Sequence, residues 1–287
     1  MKKMFKIKSW LALATILSIA SCSSDDTSPQ TPSVTLQDLE VTIDENPTNG
    51  AVIGTVQSNS TTALTFNIVS QTPSGAMEID ASTGELTIID AALFDFETNP
   101  AITATVSASG ASNNATVTIE LVDKAEIGEY KYGGVIFWIN ANGNEGYVVS
   151  INDQSSGAVW GCIGLDIPGA EGQNIGDGES NTLAIVSSCN VSGIAADMAN
   201  DIINGFSDWF LPNLNEFGEI YNNKAIINSA IITNGGSIIT DDNYWTSIQS
   251  FSNSSSAYAI KFWDGTLNNI NRDNLFKVRA VRHWTDF

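Results

Sequence analysis

The residues of this sequence with the clearest catalytic chemistry are two carboxylates in its C-terminal half. Asp208 and Glu216 could form the carboxylate pair that hydrolyses a glycosidic bond. With 32 acidic residues in the chain, however, such pairs arise readily by chance. Asp208 precedes Trp209 and a predicted helix, so we expect it to order the turn and Glu216 to cap the helix or pair locally. Arg279 and Arg282 are predicted on opposite faces of one strand, and one of them is expected to pair inside the protein with an acid such as Asp208.

The single histidine and the three cysteines indicate no common catalytic or zinc site. His283 has no Gly-x-Ser-x-Gly nucleophile elbow to act with, so we predict a structural or surface role for it. Cys22, Cys162 and Cys189 form no Cys-x-x-Cys pair, which argues against zinc. The Gly-rich turn 174–180 carries acidic residues that would oppose a phosphate, and we interpret it as a loop and helix cap, with a cation site as the alternative. We therefore predict a protein that is not an enzyme.

The charge of the chain restricts its partners. The formal net charge is −20, and four of the 12 basic residues lie within the first eight positions. Without them, 8 basic residues face 32 acidic ones, a net charge of −24. Such a field repels nucleic acid, anionic lipid head groups and sulfated glycans. We predict no nucleic-acid partner, whereas cations, neutral sugars and basic protein patches are compatible with this charge.

Residues 1–22 have the features of an export signal. A basic segment precedes an almost wholly apolar one, 10–20, which is too short to span a membrane comfortably. The following Ile19-Ala20-Ser21-Cys22 resembles a bacterial lipobox, in which the cysteine is lipidated and becomes the first residue of the mature protein. This resemblance implies a lipid anchor on Cys22. The alternative is an ordinary signal peptide that is cleaved near Ala20.

The residues after the lipobox indicate where the protein lies. Ser23-Ser24-Asp25-Asp26 resembles the acidic export tag of surface lipoproteins in the Bacteroidetes. The resemblance implies localisation at the outer membrane, with exposure at the cell surface. Residues 23–33 are polar and show no apolar periodicity, so they predict a flexible tether. The membrane is thus an expected partner, through the lipid anchor.

Residues 34–123 form the first predicted folded domain. The segment contains no Lys, Arg, Trp or Tyr and is rich in Thr, Val, Ile and Ala. Apolar and polar residues alternate in short runs such as 39–43, 101–106 and 115–121, and Gly, Pro, Asn and Ser separate the runs. This pattern predicts an all-β sandwich.

Four ordered motifs in this domain resemble those of a cadherin repeat. They are Asp44-Glu45-Asn46-Pro47 with 50–56, Phe66-Asn67-Ile68, 77–86, and Leu93-Phe94-Asp95-Phe96-Glu97. The resemblance implies a seven-stranded Greek-key sandwich. It also implies that calcium is bound at one end by the carboxylates of Glu45, Asp95, Glu97 and Asp123. The alternative is a solvated acidic end without tight calcium, because Lys124 follows directly and no second repeat supplies further ligands.

Residues 127–287 form the second predicted domain. All six tyrosines and six of the seven tryptophans lie beyond Lys124. Periodicity and turn signals predict an α+β domain with segregated helices. The predicted strands are 132–139, 147–150, 244–248, 257–262 and 277–283, and the predicted helices are 181–188, 194–203 and 212–221.

A second ordered set of motifs covers most of this domain. It comprises Gly-Gly-Val-Ile-Phe-Trp at 133–138, Trp160, Asn181-Thr182, Asp-Trp-Phe-Leu-Pro at 208–212, Tyr-Trp-Thr-Ser at 244–247 and Val-Arg-Ala-Val-Arg at 278–282. The set resembles the C-terminal domain of the Legionella collagen-like adhesin family. The resemblance implies a compact α+β fold of the C-type-lectin-like or formylglycine-enzyme-like kind. In that adhesin the domain is associated with sulfated glycans, but the acidity of this copy argues against the same ligand class.

Individual side chains of the second domain carry two further predictions. Cys162 and Cys189 are expected to form a disulfide, because export leads to an oxidising compartment; two buried thiols too far apart to pair are the alternative. Trp245 and Trp284 are predicted core residues. Trp263 adjoins a predicted hairpin turn and is the predicted exposed platform for a ligand such as a sugar ring.

Together these features predict a non-enzymatic surface lipoprotein. The cadherin-like sandwich would act as a stalk, with calcium as its expected cofactor, and the C-terminal domain would bind a glycan or a protein. The loops 152–180 and 249–256 are the expected binding surface. The alternatives are an extracellular polysaccharide hydrolase, which would use Asp208 and Glu216, and a purely structural envelope protein.

Overall fold

The computed structural model of the chain describes residues 33–286. The predicted export signal 1–22, the lipidation site Cys22 and all but the last residue of the tether 23–33 lie outside the described residues, so these remain predictions. No helix among the residues described has the length and apolar character that a membrane crossing requires.

The described residues divide into two units, with the boundary between Glu120 and Leu121. The domains predicted from sequence meet slightly later, at 123–127. Each unit has its own sheets and its own apolar core.

Seven strands build the N-terminal unit, and the last of them runs two residues past the boundary. The strands are β1 (Leu39–Asp44), β2 (Val52–Thr55), β3 (Phe66–Thr72), β4 (Met77–Ile79), β5 (Glu85–Ile88), β6 (Ala101–Ala108) and β7 (Ala115–Val122). They form a four-stranded sheet in the order β1-β7-β6-β3 and a three-stranded sheet in the order β2-β5-β4. The all-β prediction with seven strands is confirmed.

Alternation along β6 and β7 shows how this core is made. Ile102 lies opposite Ile119, and Ala104 lies opposite Val117, in an antiparallel pair. Ile102, Val117 and Ile119 are completely buried, while the residues between them face outward or lie at the edge of the core. Side chains alternate between the two faces of a strand, so a period-2 sequence places its apolar residues on one face.

The C-terminal unit combines ten strands with four helices within the described residues. The elements are β8 (Tyr130–Lys131), β9 (Gly134–Ile139), β10 (Glu145–Val149), β11 (Ser155–Ala158), α1 (Asp177–Ser188), α2 (Ala195–Ala199), β12 (Trp209–Phe210), α3 (Leu214–Asn222), α4 (Lys224–Thr233), β13 (Asn243–Gln249), β14 (Ser256–Lys261), β15 (Leu267–Asn271), β16 (Phe276–Val278) and β17 (Val281–Thr285). One five-stranded sheet has the order β12-β17-β10-β9-β8, and a second has the order β11-β16-β13-β14-β15. The whole described chain is therefore mostly β-sheet.

The predicted helix boundaries need correction in three places. Helix α1 begins at Asp177 instead of 181, because Gly176 adopts φ 97° and ends the Gly-rich turn there. Helix α2 has five residues where ten were predicted. Helix α3 begins at Leu214 instead of Pro212, because the side chain of Asn213 accepts hydrogen bonds from the first free backbone N–H groups. Helix α4 and strands β8, β11 and β15 are absent from the sequence-based prediction.

The predicted strand 277–283 is two strands in different sheets. β16 ends at Val278 and β17 begins at Val281, so that Arg279 lies in the break between them. The prediction that Arg279 and Arg282 occupy opposite faces of one strand is wrong. The break allows the Arg279 guanidinium to donate to the carbonyl groups of Ser150 and Ser237 in the protein interior.

Tryptophans dominate the core of the C-terminal unit. Trp160, Trp209 and Trp245 are fully buried, and each indole N–H donates to a backbone carbonyl at 2.8–2.9 Å. A buried indole N–H usually finds such an acceptor. Trp284 is 2% exposed and stacks on Tyr132. The predicted core positions of Trp245 and Trp284 are confirmed.

A disulfide joins Cys162 to Cys189, with their Cα atoms 5.8 Å apart. Cys189 is the residue that ends α1, and Cys162 lies in the loop that follows Trp160. The disulfide therefore attaches this loop to the end of the longest helix in the described chain.

Candidate functional site

Asp208 is half exposed and is held by an arginine. Its carboxylate accepts a hydrogen bond from Nε of Arg282. The Arg282 guanidinium also lies over the ring of Phe206, with Cζ 3.9 Å from the centroid, and donates to the carbonyl of Tyr132 at 3.1 Å. The expected pairing of Asp208 with one of the two arginines is confirmed, but its expected place in the interior is wrong, because the Asp208 side chain is half exposed.

Glu216 is completely buried and connects two helix N-termini. One carboxylate oxygen accepts backbone N–H bonds from Gly176 at 2.9 Å and Gly178 at 3.2 Å, where α1 begins. The other carboxylate oxygen accepts a hydrogen bond from the backbone N–H of Asn213 at 2.8 Å, and the side-chain oxygen of Asn213 accepts one from the backbone N–H of Glu216. These two reciprocal bonds form a capping box at the start of α3. The predicted capping role is confirmed, and the contact with α1 is an addition that the sequence did not indicate.

The environment of Glu216 leaves no room for a substrate. Burial raises the pKa of its carboxyl to about 7, against the opposing effect of the three backbone N–H donors. A Cβ atom added at Gly178 would collide with this carboxylate. A raised pKa is typical of general acids, but this group is enclosed by protein atoms. Asp208 and Glu216 therefore occupy two different structural environments.

His283 lies on β17 opposite Tyr147 of β10. The two rings pack with their centroids 5.0 Å apart, and His283 is partly exposed. This environment is that of a side chain at the surface of a sheet, in agreement with the role expected from the sequence.

An open groove of about 550 Å³ lies where α3, α4 and the β14–β15 hairpin come together. It is lined by Tyr221, Asn222, Lys224, Ala225, Asn228, Asp241, Phe262 and Trp263. Its volume is in the range of small-molecule sites, and its lining mixes aromatic and polar groups as such sites do.

The aromatic floor of the groove is anchored in the core. Phe262 is 1% exposed and packs edge-to-face against Phe217 and Tyr244, with centroids 5.5 and 5.1 Å away. Tyr221 makes a similar contact with Phe262 at 6.1 Å. Edge-to-face pairs stabilise the arrangement beyond the burial of their area, so the floor is joined to the core.

Trp263 stands at the rim of the groove with 49% of its surface exposed. The hairpin turn that carries it is fixed by Asp264, which accepts hydrogen bonds from the N–H and the hydroxyl of Thr266 at 2.9 and 2.7 Å. These bonds lower the pKa of the Asp264 carboxyl. Gly265 adopts φ 72°, and a Cβ there would lie 2.7 Å from Cε1 of Tyr221. Glycine thus lets the turn approach the tyrosine ring closely.

The polar wall of the groove is built on α4. Lys224 donates to the carboxylate of Asp241 and, at 3.0 Å, to the carbonyl of Phe262. Asn228 is bonded in both directions to the backbone of Ile239, at 2.9 and 3.1 Å, and this holds the segment before β13 against the helix. The Asp241 side chain is 68% exposed and presents its carboxylate to the groove.

The groove differs from the binding surface expected from the sequence. The loops 152–180 and 249–256 do not line it, whereas Trp263 does, and the exposure of Trp263 agrees with the prediction. Lys224 and Asn228 escaped detection because α4 was not recognised. Its sequence, KAIINSAIIT, is rich in β-branched residues and shows no clear polar face, so that it has the composition of a strand.

Three of the four predicted calcium ligands come together in the N-terminal unit. One carboxylate oxygen each of Glu45, Asp95 and Glu97 lies within 4.8 Å of the others. Glu45 is 5% exposed and accepts the N–H of Phe96 at 2.8 Å. Asp123 belongs to the C-terminal unit. Its carboxylate accepts a hydrogen bond from the ammonium group of Lys131 at 2.9 Å.

The donor set of this acidic cluster fits a hard cation. Oxygens within 4.8 Å of one another can all lie about 2.3–2.6 Å from one Ca²⁺, which takes about six to eight oxygen ligands. Glu45, Asp95 and Glu97 would supply three of these, with backbone carbonyls or water as the remainder.

Residues 149–282 match the family model of the Lcl C-terminal domain. The matched segment includes every residue that lines the groove. No curated protein sequence matches the chain.

Solved structures similar to part of the chain are cadherin-like. Mouse cadherin-23 EC22-24 has 19% identity and a TM-score of 0.30, and covers 33% of this chain and 34% of that one. Human desmocollin-1 ectodomain has 23% identity and a TM-score of 0.28, over 31% of this chain and 19% of that one. Drosophila N-cadherin EC1-4 has 20% identity and a TM-score of 0.28, over 40% and 37%. The chain thus spans about a third of the length of mouse cadherin-23 EC22-24.

Proposed function

We propose that this protein is a non-enzymatic, adhesion-type protein that binds a glycan or a protein ligand through its C-terminal unit. The observation that carries the proposal is the groove, in which an exposed indole is fixed beside an aromatic floor and a polar wall. The match of residues 149–282 to the Lcl C-terminal domain supports it. The structural roles of Asp208 and Glu216 also favour binding over hydrolysis.

The remaining features of the sequence fit the same role. A lipid on Cys22 would hold the protein at the outer membrane, and the tether and the β-sandwich would carry the C-terminal unit away from the lipid surface. The mixture of sheets and helices in that unit is compatible with a C-type-lectin-like class, and this assignment is part of the proposal.

Replacing Trp263 with alanine is expected to abolish most ligand binding. The chain without its first 21 residues, labelled with a fluorophore, would be applied to arrays of glycans and extracellular proteins and to intact bacterial and eukaryotic cells. We expect binding that falls at least tenfold in Trp263→Ala, because the exposed indole supplies the largest contact area in the groove. Phe251→Ala is the matched control, since Phe251 is 57% exposed and lies outside the groove. Equal binding by Trp263→Ala and the unchanged chain would contradict the proposal.

We propose in addition that the cluster of Glu45, Asp95 and Glu97 binds one calcium ion. Three carboxylate oxygens this close together are a donor set that suits Ca²⁺, and a ligand that binds only the folded state stabilises it. The ion would thus stiffen one end of the sandwich.

Calcium is therefore expected to raise the melting temperature of the N-terminal unit, and Glu97→Ala is expected to remove the effect. Scanning calorimetry of the chain with calcium and with a chelator would measure it, and titration calorimetry would give the affinity. Glu78→Ala is the control, because Glu78 is an exposed acid of β4 outside the cluster. Identical melting curves with calcium and with chelator would end this proposal.

A further inference from the structure

We infer that the groove binds an uncharged sugar residue, which stacks on the indole of Trp263 and hydrogen-bonds to Asp241 and Lys224. This inference rests on the proposed function and narrows its ligand from a glycan or protein to a neutral glycan. It is carried by three properties of the groove: an open aromatic face, polar groups with unused hydrogen-bonding capacity, and the sign of the local charge.

The indole of Trp263 has surface that a ligand can reach, because the residue is 49% exposed and lines the groove. Lys261, which does not line the groove, lies over the indole with Nζ 5.4 Å from the ring centroid. The face of an aromatic ring is its negative region, and it attracts the weakly positive C–H groups on the apolar side of a sugar ring. The fixed hairpin turn holds this face in place before a ligand arrives, which lowers the entropic cost of binding.

The polar wall has the donors and acceptors that sugar hydroxyls require. Lys224 has three ammonium protons, of which two are directed to Asp241 and to the Phe262 carbonyl in the described structure. Oδ1 of Asp241 accepts the hydrogen bond from Lys224, and the Asp241 side chain is exposed. Its second oxygen, Oδ2, is therefore left to accept a hydrogen bond from a sugar hydroxyl. The side-chain amide of Asn222, at the exposed end of α3, can both donate and accept.

The charge of the groove and of the whole chain favours neutral sugars over acidic ones as ligands. The charge of Lys224 is compensated within the wall by Asp241, and the charge of Lys261 beside the indole is opposed by the nearby Asp264, so these groups offer no net positive charge to a sulfate or carboxylate group. The net charge of −20 adds a field that repels anions. An anionic sugar would therefore lose free energy in this groove where a neutral sugar would not.

The size of the groove favours a sugar over a protein as the ligand. A stable protein interface buries about 800 Å² on each partner, over a broad and closely fitting surface. The groove is a local depression of about 550 Å³ with a single exposed indole at its rim. This shape accommodates a small ring system better than the face of a folded protein.

The test uses the chain without its first 21 residues in affinity electrophoresis through gels that contain dextran, mannan, galactan or xylan, with heparin and polygalacturonate as anionic polymers. We expect retardation by at least one neutral polymer and none by the anionic ones. Trp263→Ala should weaken the neutral binding at least about tenfold, which corresponds to about 1.4 kcal/mol. Trp263→Phe keeps a flat ring and should stay within about threefold of the unchanged chain, while Phe251→Ala should bind equally well.

A second measurement keeps the test independent of the choice of polymer. Cells that bind the chain would be treated with periodate, which cleaves the vicinal diols of sugars, before the chain is added. Loss of Trp263-dependent binding supports the inference. Trp263-dependent binding that survives periodate, or that follows heparin, overturns the neutral-sugar inference and leaves the proposed function standing. Binding to a neutral polymer that Trp263→Ala does not change overturns the assignment of the groove. Absence of Trp263-dependent binding to any cell or polymer would overturn both.

Discussion

Replacing Glu216 with alanine is expected to destabilise the C-terminal unit by about 3–5 kcal/mol at pH 6. The substitution removes the acceptor of three buried backbone N–H groups, those of Gly176, Gly178 and Asn213. A buried donor without an acceptor costs about 1–3 kcal/mol, and the N-termini of two helices lose their common cap. Domains are stable by only about 5–15 kcal/mol, so the loss would be severe. Urea unfolding followed by tryptophan fluorescence would measure it.

Glu219→Ala is the matched control for this prediction. Glu219 belongs to the same helix and is only partly buried, so its removal should cost less than about 1 kcal/mol. If Glu216→Ala and Glu219→Ala unfold at the same urea concentration, the bridging role of Glu216 is wrong.

The same carboxyl group makes stability depend on pH. Burial raises the pKa of Glu216 from 4.5 to about 7, so the folded unit keeps a proton that the unfolded chain releases. The stabilisation is complete below pH 4.5 and is lost as the pH rises through about 7, and the total is about 3 kcal/mol. Glu216→Gln cannot titrate and should lack this slope. Unfolding curves at several pH values between 4 and 8 would compare the two, and a constant difference between them would contradict the assignment.

Replacing Arg279 with alanine is expected to cost about 3–5 kcal/mol. The guanidinium is fully buried and donates to Asp153 at 2.7 Å and to the Ser150 carbonyl at 2.9 Å. The Asp153 side chain is only 18% exposed, and burial already raises the pKa of its carboxyl despite the nearby Arg279 and Lys277. Without the arginine, this acid would be a poorly compensated charge in the interior. Thermal and urea unfolding would both report the loss.

Two further variants distinguish loss of the Arg279–Asp153 ion pair from a nonspecific loss of stability. Arg282→Ala removes the same side chain from β17 and should cost less than Arg279→Ala, because its partner Asp208 is half exposed and is not left as a buried charge. Asp153→Asn combined with Arg279→Ala should be more stable than the sum of the two single effects predicts, because no unpaired charge is then left. Simple additivity would show that Arg279 and Asp153 do not stabilise the fold as a pair.

Regular patterns in the sequence were sufficient for much of the fold. The alternation in 101–106 and 115–121 predicted β6 and β7, since a period of two places every second side chain on one face. The placement of Trp263 beside an Asp-Gly turn predicted its exposure. The two strands and the exposure of Trp263 depend on residues that are close together in the chain, so a short stretch of sequence is enough to predict them.

The groove depends on elements that no local pattern brings together. Trp263 and Tyr221 line one groove because Gly265 lets the hairpin turn approach the end of α3. The other wall is α4, whose run of Ile residues was ambiguous between helix and strand. Packing decided the matter, since Ile227 and Ile231 are four residues apart and both are completely buried, as the face of a helix requires.

The sequence by itself determined the two-domain organisation, the all-β character of the first domain and the candidate residues Glu45, Asp95, Glu97 and Trp263. Only the tertiary structure decided which candidate residues are held by other residues and which are exposed to a ligand. Glu216 meets Gly176 across 40 residues, and Arg279 meets Asp153 across 126. The break between β16 and β17 accompanies the second of these contacts. Such contacts depend on how distant segments pack, and neither residue spacing nor periodicity encodes the distance between them.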